Sequence, residues 1–295
     1  MGCESADRFL NCVMMRSVSD GIISIWSMIL MMVVLPLVFF LFFLGITFDP
    51  SQDIFVIDLK RFVAIPIIMG IIATFFAFRM VNFFDKHQQR DREWAGALTD
   101  YAKDYGHEDV MLGRMAEMLL FGHARIMKLV LMAVFIIIIA SDALMCFLME
   151  INDIDSEAAI LPMSLMTVMI FIEYQVVGIY LFLVIRKHDL RQFAFTEQFS
   201  MIMSDDLPGI KPMDTRVKRR RIWPHVILFF LTSGAYSMPF ILWVALINNL
   251  HVQRQWTYEE QVLKLIMDKE GATGIEVINK DYGKGIIALW KRMFF

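Results

Sequence analysis

Five apolar runs, each at least about 20 residues long, constrain this chain more than any other feature. They cover roughly 21–46, 62–84, 129–149, 159–185 and 223–247. A helix rising 1.5 Å per residue needs about 20 residues to cross about 30 Å of hydrocarbon. Each run meets that length. None shows the two-residue alternation of a membrane β-strand. The sequence therefore predicts an all-α integral membrane protein built as a five-helix transmembrane bundle. Composition agrees: 58% of the residues are hydrophobic and 20% charged, against about 45–50% and about 25% in soluble domains. A disordered chain, a disulfide scaffold and a cytosolic enzyme are excluded. With a formal net charge of -3, a generally basic nucleic-acid binder is excluded as well.

Basic residues set the expected orientation, because Lys and Arg collect on the cytoplasmic side. Arg8 and Arg16 precede the first run, while Lys60 and Arg61 are the only basic residues between the first two. The stretch from Arg79 to Lys128 carries eight, 150–158 carries none, and Arg186 to Arg221 carries nine. Alternate sides thus hold 19 against 2. The reading is a multi-pass protein of the cell membrane with a cytoplasmic N-terminal segment (1–20), a transmembrane domain (21–248) and cytoplasmic loops at 85–128 and 186–222. An odd number of crossings sends the tail, 249–295, to the opposite side, against its own seven basic residues. A short amphipathic helix over Tyr258–Lys269 is expected there, with Val262, Leu265 and Ile266 on one stripe.

Neither inner loop reads as coil. Trp94, Leu98 and Tyr101 fall at helical spacing, and so do Met115, Met118, Leu119 and Ile126, which predicts a helical hairpin. The fourth loop continues with Phe195 and Phe199 and breaks at Leu207-Pro208-Gly209. A local repeat joins the two loops: Lys86-His87-Gln88-Gln89-Arg90 and Lys187-His188-Asp189-Leu190-Arg191 share the pattern KHxxR.

Several residues are candidates for chemistry. Glu173 and Asp142 are carboxylic acids inside apolar runs, where a charge costs a few kcal/mol and a partner is expected. From helical rise Asp142 lies about 12 Å and Glu173 about 21 Å below the outer surface, too far apart to act as a pair. Glu173, Asp142 and Tyr236 are candidates for a proton or ion site. Lys218, Arg219, Arg220 and Arg221 form a juxtamembrane cluster suited to anionic lipid or a docking partner. His87, His123, His188 and His225 each fall near the cytoplasmic end of a different helix, where imidazoles at one depth suit haem iron or a metal. Against that reading, their flanks are basic and no HExxH motif is present. No metal or other cofactor is therefore assigned from sequence. Cys3, Cys12 and Cys146 lack metal-ligand spacing. The start MGCES has Ala6 where a myristoylation motif needs Ser or Thr, and the first run is too long for a signal-peptide core.

The function expected from sequence is an adaptor or assembly subunit, not an enzyme, docking a protein partner or a second copy through its cytoplasmic loops. Two alternatives stand beside it: a proton- or cation-coupled carrier or channel subunit centred on Glu173, and a haem- or metal-binding subunit using the cytoplasmic-side histidines. Nucleic acid is not an expected partner; the lipid bilayer is.

Overall fold

A computed structural model describes residues 4–20, 46–49, 54–57, 64–119, 124–152, 156–214 and 221–271, with isolated positions between 24 and 38. The expected first span, His123, Lys218 to Arg220 and the end of the tail lie outside these residues. Among the described residues the chain forms α1 (Glu4–Ser19), β1 (Ile46–Asp49), β2 (Ile54–Ile57), α2 (Ala64–Asp104), α3 (Val110–Met118), α4 (Ala124–Asn152), α5 (Ser156–Ile202), α6 (Trp223–Leu231) and α7 (Ser237–Glu270). The strands pair antiparallel with Ile46 opposite Ile57 and Asp49 opposite Ile54. This small ribbon departs from the all-helical expectation. It sits where Ile, Thr, Val and Phe are concentrated, residues that favour a pleated strand.

Helices α2, α4 and α5 each contain a stretch long and apolar enough to cross a membrane. Two of them run far beyond their apolar stretches. The 41 residues of α2 extend about 60 Å and the 47 of α5 about 70 Å. The boundaries that hydropathy places near residues 85 and 186 therefore interrupt nothing. Span and inner loop are one continuous helix in both places. The two helices run parallel, so Thr74 meets Glu173, His87 meets His188, and Trp94 meets Phe195 in turn.

Two hydrophobic cores follow along this axis. The first joins the apolar parts of α2, α4, α5 and α7, with Ala77, Val81, Val177, Leu181, Phe240 and Val244 buried. The second lies beyond the polar boundary, where Phe9, Trp94, Leu98, Phe195, Phe199 and Val262 close a helical domain. Leu207 and Met213, on either side of the break at Gly209, whose positive φ of 88° suits glycine, also fold into it. In α1, Ser5, Phe9, Val13, Arg16 and then Asp20 form one buried stripe at helical spacing.

The crossing expected at 223–247 requires correction. Residues 232–236 form a turn, with Ser233 at φ 50° and Gly234 at φ 92°. Thr232 Oγ1 donates to the Leu228 carbonyl at 2.8 Å, and Gly234 N–H donates to that of Phe229 at 2.8 Å, which caps α6. Pro239 then falls in the first turn of α7, where its missing N–H breaks no helical bond. The two arms lie side by side. The His225 ring is 4.6 Å from that of Phe240 and 4.9 Å from that of Trp243, and its Nδ1 is 2.8 Å from the Tyr236 hydroxyl.

The turn of this hairpin lies against Phe171, where a Cβ on Gly234 would come within 2.9 Å. From there α7 descends beside α5, Phe240 packing on Gly178 and His251 reaching Asp189. The segment enters the bundle and returns to the end it came from. The helical stretch Asn248–Glu270 consequently belongs to the same domain as α1 and the extensions of α2 and α5. Trp256 Nε1 donates to Asp20 at 2.7 Å, and Arg16 donates to Glu260 at 2.7 Å. Groups in direct contact cannot stand on opposite faces of a membrane, so the reading that separates this stretch from the N-terminal segment is corrected too.

Candidate metal centre

Just beyond the apolar core, four helices direct polar side chains into one buried volume. Helix α2 supplies His87 and Asp91, four residues apart and so on one face. Helix α5 supplies His188, Asp189 and Gln192; α7 supplies His251, Gln255 and Glu259; Asp20 follows α1. His87 and His251 are 2% exposed, and His188 and Asp91 fully buried.

The nitrogen and oxygen atoms converge. His87 Nε2 lies 3.2 Å from His251 Nε2 and 3.3 Å from Asp91 Oδ2, and His188 Nε2 lies 2.7 Å from the same oxygen. One ligand atom from each of these four residues lies within 4.8 Å of the other three. The opposite nitrogen of each ring is held by an acceptor. His87 Nδ1 faces Asp20 Oδ1 at 3.0 Å, His251 Nδ1 faces Asp189 Oδ1 at 2.9 Å, and His188 Nδ1 faces the Leu119 carbonyl at 3.2 Å. The Nε2 atoms face one another and the Asp91 carboxylate, which when ionised only accepts, so a proton or a cation lies between them.

Metal–ligand bonds of about 2.0–2.1 Å in a tetrahedron put neighbouring ligand atoms about 3.3–3.4 Å apart; the His87–His251 and His87–Asp91 pairs stand at 3.2 and 3.3 Å, and the His188–Asp91 pair is closer, at 2.7 Å. Each imidazole has the outer acceptor that orients a metal-binding histidine and raises its basicity. Asp91 is steadied from both sides: Gln192 Nε2 donates to Oδ2 at 2.9 Å, and Gln255 Nε2 donates to Oδ1.

The carboxylates of Asp20, Asp91, Asp189 and Glu259 and the guanidiniums of Arg16 and Arg90 are gathered, buried, around this centre. Arg90 lies 2.7 Å from both Asp20 and Glu259. Burial would raise the Asp20 carboxyl, but the charges of His87 and Arg90 outweigh it and hold the group below the ordinary carboxylate range. Burial raises Glu259, Arg90 offsets part of that, and the neighbouring Asp20 and Asp91 add to the rise.

Of the sequence-predicted histidines, His87 and His188 meet in this centre, one from each KHxxR pattern. His225 belongs to the hairpin instead. The three central rings stand 5.2–5.5 Å apart, centroid to centroid, which leaves no slot for a porphyrin between them. Sequence reasoning missed His251, because the tail was assigned to the other side of the membrane. It also counted the flanking basic residues as repelling a cation, whereas buried Arg90 is more than matched by acids. The four-residue step from His87 to Asp91 was the available signal.

The other candidates lie elsewhere. Glu173 is 4% exposed between α2 and α5, accepting from Thr74 Oγ1 at 3.1 Å. Tyr236 belongs to the hairpin turn, Asp142 lies on α4 with its side chain outside the described residues, and Arg221 is exposed just before α6.

No family model, curated protein or solved structure matches this chain. The fold and the long apolar helices nevertheless define its class: a helical protein with helices able to cross a membrane, continued by a polar helical domain.

Proposed function

We propose that this is a multi-pass protein of the cell membrane whose cytoplasmic helical domain is fastened by one divalent transition-metal ion, with Zn²⁺ the best match. The observation that carries the reading is the convergence of three Nε2 atoms and Asp91 Oδ2, each imidazole braced from behind by an acceptor. A set of three imidazoles and one carboxylate suits Zn²⁺ better than Mg²⁺ or Ca²⁺, which prefer all-oxygen shells. With four protein ligands and almost no solvent access, the centre has the form of a structural or regulatory site and not a catalytic one. An ion joining α2, α5 and α7 would stiffen the domain as a platform, and the adaptor or assembly role follows from that platform. The cytoplasmic assignment is supported by the basic residues, since Arg254, Lys264 and Lys269 now add to the side already rich in them.

The test is metal analysis of the full-length protein purified in mild detergent. About one equivalent of Zn²⁺ per chain is expected, falling sharply in His188→Ala and Asp91→Ala. Chelation should lower thermal stability, by about 4 kcal/mol relative to free Zn²⁺ at a thousandfold excess over Kd. Failure of the stripped wild-type protein to bind Zn²⁺ in equilibrium dialysis would overturn the reading.

A further inference from the structure

In the helical domain α3 lies antiparallel to the end of α5. Gln198 Nε2 donates to Asp109 at 2.8 Å where α3 begins, and Arg191 Nη1 donates to the Met118 carbonyl at 2.7 Å where it ends. The inner side of α3 belongs to the core, with Leu112, Ala116 and Leu119 buried. Its outer side carries Met111 and Met118, two turns apart and 56% and 49% exposed. The outer side of α5 carries Leu190 and Met201, three turns apart and 48% and 66% exposed. Single exposed apolar side chains are ordinary, but apolar rows on two adjoining helices mark an interaction surface. A third helix covers such a surface with apolar residues at i, i+4 and i+7. Methionine, unbranched and flexible, adapts to it.

The charges on this face select the occupant. Arg114 is exposed between the two methionines, three residues after one and four before the other. Lys187 and Arg191, one turn apart, border the end of the face nearest the apolar core. Glu117, the acid of α3, lies 3.3 Å from Arg92 of α2, and the exposed Glu197 lies further along α5. A second copy seated on the same face would set these cations against their like, which opposes association. A bilayer surface fits no better. Leu190 and Met201 are eleven residues apart, about 16 Å along an axis leading away from the apolar part of α5, so one plane of headgroups cannot cover both.

We infer that this face of α3 and α5 is a docking site for an amphipathic helix of a partner protein, one with acidic residues beside its apolar stripe. The stripe covers Met111, Met118, Leu190 and Met201, and the carboxylates meet Arg114, Lys187 and Arg191. The inference gives the adaptor role a place and a partner chemistry; it rests on that reading and not on the ion.

The test uses the full-length protein in nanodiscs of zwitterionic lipid and a designed, fluorescein-labelled helical peptide. The peptide has about 18 residues, about 27 Å of helix, with leucines at i, i+4, i+7 and i+11 and glutamates flanking them. Fluorescence anisotropy should show saturable binding. Exchanging the glutamates for lysines should weaken it at least about tenfold. Met118→Asp and Met201→Asp should each weaken it at least about tenfold, whereas Met118→Leu, which keeps the apolar contact and guards against a folding defect, should bind as the wild type does. Hydrogen exchange should slow in α3 and in the 190–201 part of α5 when the acidic peptide is added. Equal binding of the acidic and basic peptides, or undiminished binding to both Asp variants, would overturn the proposal. So would slowing of these amides by anionic lipid in the disc with none from the peptide, which would make the face a membrane contact. Peptide protection that maps to another face overturns this assignment alone; no binding of either peptide on any face counts against the adaptor reading as well.

Discussion

His87 and His251 are 164 positions apart in the chain, and their Nε2 atoms lie 3.2 Å from each other. The contact requires the middle of α2 beyond its apolar part and the descending arm of the hairpin to end in one compartment. A thiol-directed probe at Lys264 is therefore expected to react from the same side as one at Lys103. A probe at Ser156, where α5 begins, is expected to react from the other. Opposite-side labelling of Lys264 and Lys103 would contradict the hairpin.

Arg90 is buried with two acids at 2.7 Å and a third, Asp91, at 3.3 Å. Removing one partner from a buried ionic cluster leaves uncompensated charge, at a cost of about 3–5 kcal/mol. Arg90→Met should destabilise the domain by that amount in denaturant titration. Arg90→Lys should recover only part, since a point charge cannot reproduce the planar fork.

Close approach of α5 and α7 depends on Gly178. A Cβ there would stand 2.7 Å from Phe240 Cε1, and Phe240 is fully buried. Gly178→Ala should cost about 1–3 kcal/mol through overpacking. Gly96, also in a helix, has nothing within 4 Å of a built Cβ. Gly96→Ala should stabilise by about 0.5–1 kcal/mol through helix propensity. Thermal unfolding of the two variants should shift in opposite directions.

Glu173 sits among apolar side chains with Thr74 as its hydrogen-bond donor. Glutamine has the same length and keeps an acceptor oxygen for Thr74, so Glu173→Gln should melt like the wild type. Glu173→Asp withdraws the acceptor by one methylene and should cost about 1 kcal/mol. A purified Glu173→Gln protein that failed to fold would show that ionisation at this position matters to the structure.

Asp109 caps α3, accepting from Met111 N–H at 2.6 Å and from Leu112 N–H at 3.3 Å. Asp109→Ala should destabilise α3 by about 1 kcal/mol. The hydrogen bonds from Gln198 and the two backbone amides hold this carboxyl below its ordinary value of 3.8. A lowered carboxylate contributes its stability above the unfolded value and loses it as pH falls through the folded one. The protection of the α3 amides, their exchange corrected for its intrinsic pH dependence, should thus be steady from pH 7 to about 5 and fall below about 4. In Asp109→Asn that acid step should disappear.

Much of this architecture was legible in the chain. Hydropathy located the apolar stretches of α2, α4 and α5, because crossing hydrocarbon requires an unbroken run whatever surrounds it. Helical spacing at Trp94, Leu98 and Tyr101, and turn chemistry at Leu207-Pro208-Gly209, needed only local interactions to express themselves. Hydropathy alone could not distinguish a crossing from a hairpin at 223–247. Both are apolar, and the difference lies in how Thr232, Ser233 and Gly234 cap one arm against α5. The metal centre was equally hidden. His87, Asp91, His188 and His251 come from three helices, and no sequence pattern encodes the packing of α7 beside α5 that brings His251 to the others. Local physics determined what each segment becomes, and tertiary packing decided which side chains meet, because long-range proximity depends on the register between helices and not on spacing within one.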